Sequence, residues 1–84
     1  MNQGIVEVDK VVVVIVLIQV KAGAAEQVEK AVGSFDEIER AHMVTGPYDV
    51  IAHGELESKA DFRNFVDRIH ELEGVIRTET CMGI

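Results

Sequence analysis

An α+β fold, with two helices laid on one face of a four-stranded antiparallel sheet, is what three features of this 84-residue sequence predict. Hydrophobic periodicities follow one another in the order strand, helix, strand, strand, helix, strand. The two halves of that order, beginning near Val11 and Asp49, have similar lengths. The first strand is apolar on both of its faces. This is the split βαβ order of a ferredoxin-like sandwich. Right-handed crossovers then put both helices on one side of the sheet, strands one and three at its centre and strands two and four at its edges.

Each element has its own local reason. Residues 1–10 carry no clear periodicity and are read as an N-terminal arm or an added edge strand, ahead of a domain spanning residues 11–84. "VVVVIVLIQV", Val11 to Val20, imitates a secretory signal, but Glu7 and Asp9 stand where a basic flank belongs. Its apolar run is also about half the length a membrane span needs. Such β-branched density is strand instead. From Ala24 the apolar residues Val28, Ala31, Val32 and Phe35 trace a helical stripe that ends around Gly33 and Ser34. Ile38–Thr45 and Val50–Leu56 alternate as strands, joined as a hairpin by Gly46-Pro47-Tyr48-Asp49. Pro47 suits the second position of a turn, and Tyr48 after it favours type I. Ser58 can cap a second helix with Asp61 in its first turn. Phe62, Phe65, Val66, Ile69 and Leu72 form its apolar stripe, Gly74 ends it, and "VIRTETCMGI" is the last strand.

Composition narrows the functions. A chain this short forms one domain and buries only about 60–65 % of the surface its unfolded form exposes. With 48 % apolar residues and a single cysteine it reads as a globular cytoplasmic domain without a disulfide framework. A net charge of −7 with no cluster of lysine or arginine offers no footprint for a phosphate backbone, so no direct contact with nucleic acid is expected, nor with a membrane. In the first strand Val12, Val14, Val16, Ile18 and Val20 fall on one face and Val11, Val13, Ile15 and Leu17 on the other. Helices cover only one face of the sheet. The other therefore calls for a second protomer, or for the arm formed by residues 1–10.

The turn "TGPYD" can be a rigid hairpin, with Asp49 bonding to nearby amides and Tyr48 as packing. It can also be a binding site, because a stiff turn offers backbone N–H groups and a carboxylate close together. A turn that pairs Gly46 with Asp49 sets a register pairing Thr45 with Val50, Arg40 with Glu55 and His42 with His53. That puts an ion pair and two imidazoles across the hairpin. Two histidines fall short of the three or four ligands zinc takes, so no metal site is assigned. Cys81 reads as a small buried hydrophobe. There is no glycine-rich phosphate loop, nucleophile elbow or metal-ligand spacing, so neither enzyme activity nor a cofactor is expected.

"VLIQVKAG" in the first strand, "VTGPYDVIAHGELES" through the hairpin and "GVIRTET" opening the last strand resemble the RAM domain, the effector-binding domain of Lrp/AsnC-type transcription regulators. The likeness covers nearly everything from Val11 to Ile84. It implies a domain that dimerises through its sheets, forms homo-oligomeric rings and binds a small effector, commonly an amino acid, in clefts between dimers. The effector-binding residues it implies are Gly46, Tyr48 and Asp49 of the turn with Thr78 and Thr80 of the last strand; the plain alternative for the threonines is two β-branched strand residues. No winged helix-turn-helix precedes the domain, so a stand-alone member that modulates full-length Lrp/AsnC-type regulators or senses metabolites is expected. Two alternatives stay open: an ACT-like allosteric module, and a small dimeric α+β barrel enzyme with a pocket lined by His42 or His53.

Overall fold

The computed structural model describes residues 11–84, and the expectation of an arm or strand in residues 1–10 lies outside the described residues. The elements are β1 (Val12–Val20), α1 (Ala25–Gly33), β2 (Ile38–Met43), β3 (Val50–Leu56), a short 3-10 turn (Lys59–Asp61), α2 (Phe62–His70) and β4 (Val75–Met82). All pairings are antiparallel and the sheet order is β2-β3-β1-β4, with β1 and β3 central as the split βαβ pattern requires.

Alternation along β1 decides where the core lies. Val14, Val16 and Ile18 are fully buried, and Val12 and Val20 nearly so. Val28 and Val32 of α1 and Phe65 and Ile69 of α2 join them in one cluster, with Val50, Ala52 and Leu56 of β3. Both helices therefore lie on one face. The other face carries Val13 and Ile15, 46 % and 39 % exposed. It is uncovered by any described residue.

Two local devices close the core. Arg68 lies over the rings of Phe35 and Phe65 while its Nη2 bonds the Glu37 carboxylate. Burial pushes the Glu37 carboxyl up, but the hydrogen bond from Arg68, its own backbone amide and the Arg68 charge together hold it below the ordinary 4.5. The stability this gives is present above that value and fades as pH falls through the lowered one. Beside it the β2–β3 pairing shifts register between Ile38 and Arg40, and Glu55 N–H donates to Glu37 O at 2.9 Å. Only glycine fits opposite: a Cβ on Gly54 would stand 1.9 Å from the Glu37 carbonyl oxygen. Ser58 does not cap α2 as expected. It precedes the 3-10 turn in extended conformation, its hydroxyl 3.4 Å from the Asp61 carboxylate.

Candidate functional site

At the end of the sheet where β1 reaches Val20, the hairpin is wider than its sequence predicts. The ladder pairs Met43 with Val50, His42 with Ile51 and Arg40 with His53, two residues away from the expected register. Val44 N–H donates to Asp49 O at 2.9 Å, and Thr45–Tyr48 form an open loop in which Gly46 takes φ +125°, a conformation suited to glycine. The expected tight turn over Gly46–Asp49 is corrected accordingly. Asp49 explains the change, because just ahead of β3 it bonds to the central strand β1 and does not close a tight turn. Its N–H donates to Ile18 O at 2.8 Å and its Oδ2 accepts the N–H of Val20 at 2.9 Å. Val20 sits where the β1–β4 register shifts. The carboxylate thus satisfies a backbone amide at an irregular point of the central strand.

Next to Asp49, half-buried Tyr48 turns toward β4. Its hydroxyl accepts from Arg77 Nη2 at 3.3 Å, the Arg77 guanidinium carbon lies 5.9 Å from its ring centroid, and the same Nη2 reaches Glu79 Oε2 at 3.2 Å. The phenol is held above its ordinary 10.0, first by its hydrogen bond to Glu79, with desolvation and the Glu79 charge adding to this and Arg77 opposing it. Arg77 and Glu79 pair with Gln19 and Leu17 and so share the uncovered face. Thr78 and Thr80 pair with the buried Ile18 and Val16 and project to the helix side, where Thr78 Oγ1 is 2.8 Å from His70 Nε2 at the end of α2.

The candidate residues therefore divide. Gly46, Tyr48 and Asp49 lie together at the loop, while Thr78 and Thr80 occupy the opposite face of the edge strand. Arg77, Glu79 and His70 are the polar neighbours that reading the sequence missed. The available signal was alternation: in "RTET" the two threonines share one face and Arg77 and Glu79 the other.

Other expectations are corrected by the same register. His42 and His53 are diagonal and not directly opposed, their rings stacked at 22° with centroids 6.5 Å apart, and His53 Nδ1 is 3.8 Å from Glu39 Oε1. Arg40 faces His53 and makes no ion pair with Glu55, which pairs with Val13 across β1. Cys81 is exposed, not buried, because it stands opposite Ile15 on the uncovered face. Among the described residues no group of three or more His, Cys, Asp or Glu is placed to hold a metal ion. Two surface grooves lie at the Val12 end of the sheet, one lined by Glu37, Glu55 and Asp61 and the other by Val11, Ser58 and Ile84. Neither includes His42 or His53, as the barrel-enzyme alternative would require.

Comparison with known proteins agrees with this fold. Residues 13–84 match the model of the Lrp/AsnC ligand binding domain. The HTH-type transcriptional regulator FL11 of Pyrococcus furiosus is 31 % identical over 67 residues, which are 80 % of this chain and 44 % of that protein. The chain thus spans about half the length of the curated relatives it matches. The crystal structure of TTHA0845 from Thermus thermophilus superposes with a TM-score of 0.82 at 30 % identity, over 87 % of this chain and 92 % of that one. The regulator NMB0573 of Neisseria meningitidis, solved as an L-Met complex, shares the fold with a TM-score of 0.76 at 16 % identity, over 100 % of this chain and 56 % of that one. Among the described residues no helix is long and apolar enough to cross a membrane.

Proposed function

The chain belongs to the Lrp/AsnC ligand binding domain family, and from that premise we propose that it is a regulatory module that binds a small effector, an amino acid, and performs no chemistry on it. The observation that carries the reading is the loop before β3. Its backbone is held in place by the Asp49 bonds to Ile18 and Val20, and its Tyr48 hydroxyl by Arg77. A site fixed in this way loses little freedom when a ligand arrives. Asp49 Oδ2 is engaged by Val20, and Oδ1 accepts from no donor among the described residues. That oxygen supplies the acceptor an ammonium needs.

The uncovered face supports the second half of the proposal, a homodimer formed sheet to sheet. Val13, Ile15 and Leu17 make an apolar centre flanked by Ile51 of β3 and Cys81 of β4. Packing against a second copy places each loop at the rim, where a neighbouring subunit can supply the wall that one protomer lacks. Thr78 and Thr80, on the other face of the edge strand, would then contribute across a further dimer contact in a ring. Partners of the same kind include full-length regulators carrying this domain. Direct binding to duplex DNA is not part of the proposal, since −7 of net charge gives no counterion release to gain from.

Two measurements test this. A thermal-shift screen against the common amino acids should find a ligand, which at 100 times its dissociation constant adds about 2.7 kcal/mol of stability. Asp49→Ala should then lower affinity about 10- to 150-fold, the worth of a charge-assisted hydrogen bond, and also cost about 1–3 kcal/mol by leaving Val20 N–H unpaired. A variant that is destabilised yet binds with unchanged affinity would make Asp49 a purely structural clamp.

A further inference from the structure

Among the described residues Arg77 is the one cation in contact with the loop tyrosine, and most of its donors are idle. A guanidinium carries five N–H groups in a planar fork. Within the described residues only Nη2 is engaged, by the Tyr48 hydroxyl and Glu79 Oε2. Nε and Nη1 donate to nothing there. The side chain is 59 % exposed and still placed, since it lies against the Tyr48 ring and is anchored at one nitrogen. A placed guanidinium with a free edge suits a carboxylate, which it takes bidentately. Tyr48 links it to Asp49, the next residue, whose Oδ1 is open to a cation. Donor edge and acceptor oxygen are opposite in charge and flank the same stretch of β1, Arg77 pairing with Gln19 and Asp49 bonding to Ile18 and Val20 on either side of it.

Resting on the effector reading above, we infer that Arg77 is the carboxylate-recognising residue of the site, so that the effector is held as a zwitterion, its carboxylate on the Nε and Nη1 edge of Arg77 and its ammonium on Asp49. Glu79 anchors Arg77 through Nη2 and so acts as a positioning residue. Selectivity follows directly. A neutral α-carboxamide of the same amino acid cannot form the paired ionic contact and binds more weakly.

The test is calorimetry with each common amino acid and its α-carboxamide, on the wild type, Arg77→Lys and Arg77→Gln. The wild type is expected to prefer the acid by about 10- to 100-fold. Arg77→Gln removes that preference, and Arg77→Lys, which keeps the charge without the fork, retains part of it. Unchanged melting temperatures in the variants separate recognition from folding. If an amino acid binds and Arg77→Gln keeps both affinity and preference, the assignment of Arg77 is wrong while the effector reading stands. If the wild type binds no amino acid, both fall together.

Discussion

Along β1, residues of the same chemistry meet two different fates. Val14 and Val16 have no exposed surface, whereas Val13 beside Val14 is 46 % exposed and Ile15 between the two is 39 % exposed. The side chains do not differ; what topology lays over each face does. One face receives Val28, Val32, Phe65 and Ile69 from the two helices. The other receives nothing from the described residues. Apolar surface on the covered face is explained by folding alone, so the equally apolar surface opposite carries separate information, about association. Loop and uncovered face meet at Arg77 and Glu79, which would join the proposed effector site to the rim of the proposed interface.

Breaking the covered face should give the largest effect. Phe65 is fully buried, edge-on to Phe35 and under Arg68, so Phe65→Ala should cost about 3–5 kcal/mol. For a domain whose whole stability is of the order of 5–15 kcal/mol, urea unfolding should show a protein partly unfolded without denaturant. The same insult to the uncovered face should leave the fold standing. Ile15→Asp is expected to shift the unfolding midpoint little, within about 0.5–1 kcal/mol, but to weaken self-association at least about 100-fold in sedimentation, since a buried unpaired charge opposes the contact. Equal loss of stability in both variants would erase the distinction between the faces. The smallest effect sharpens the boundary between face and loop. Tyr48 is the single tyrosine and there is no tryptophan, so its phenolate absorbance titrates one residue. Glu79→Gln should lower that titration toward 10.0, because the Glu79 hydrogen bond is the main cause of the rise. A raised value in the folded state means that the contact contributes below 10.0 and is lost as pH rises through the raised value. An unmoved titration would place Glu79 outside the Tyr48 cluster.

Much of the fold was legible because single residues announce it. β-branched density marked β1, the Val28 and Val32 spacing marked α1, and β3 spans the expected Val50–Leu56. The hairpin register was not, because it depends on a residue far along the chain. Asp49 looks like a turn former, yet β1 recruits it through Ile18 and Val20 and pulls the pairing two residues over. The need for Gly54 within β3 appears only when the Glu37 carbonyl is seen against it. Within the candidate site, the loop was visible as a motif. Alternation in "RTET" sets Arg77 and Glu79 on a face of their own, but their nearness to Tyr48 depends on pairing with Gln19 and Leu17 of β1, a relation that no local pattern encodes.

The sheet order also dictates when this protein is most vulnerable. β1 is made before β4, one of its two neighbours, and Val14 waits for Met82. Contacts so distant in sequence form slowly, since the intervening chain must close before they reward it. At translation rates of about 5–20 residues per second, a strand apolar on both sides stays half-paired for seconds on the ribosome. Helix α1 and the β2–β3 hairpin, both local, can shelter one face and one edge during that interval. A nascent chain stalled before Val75 should therefore engage holdase chaperones through the β1 edge that β4 later seals.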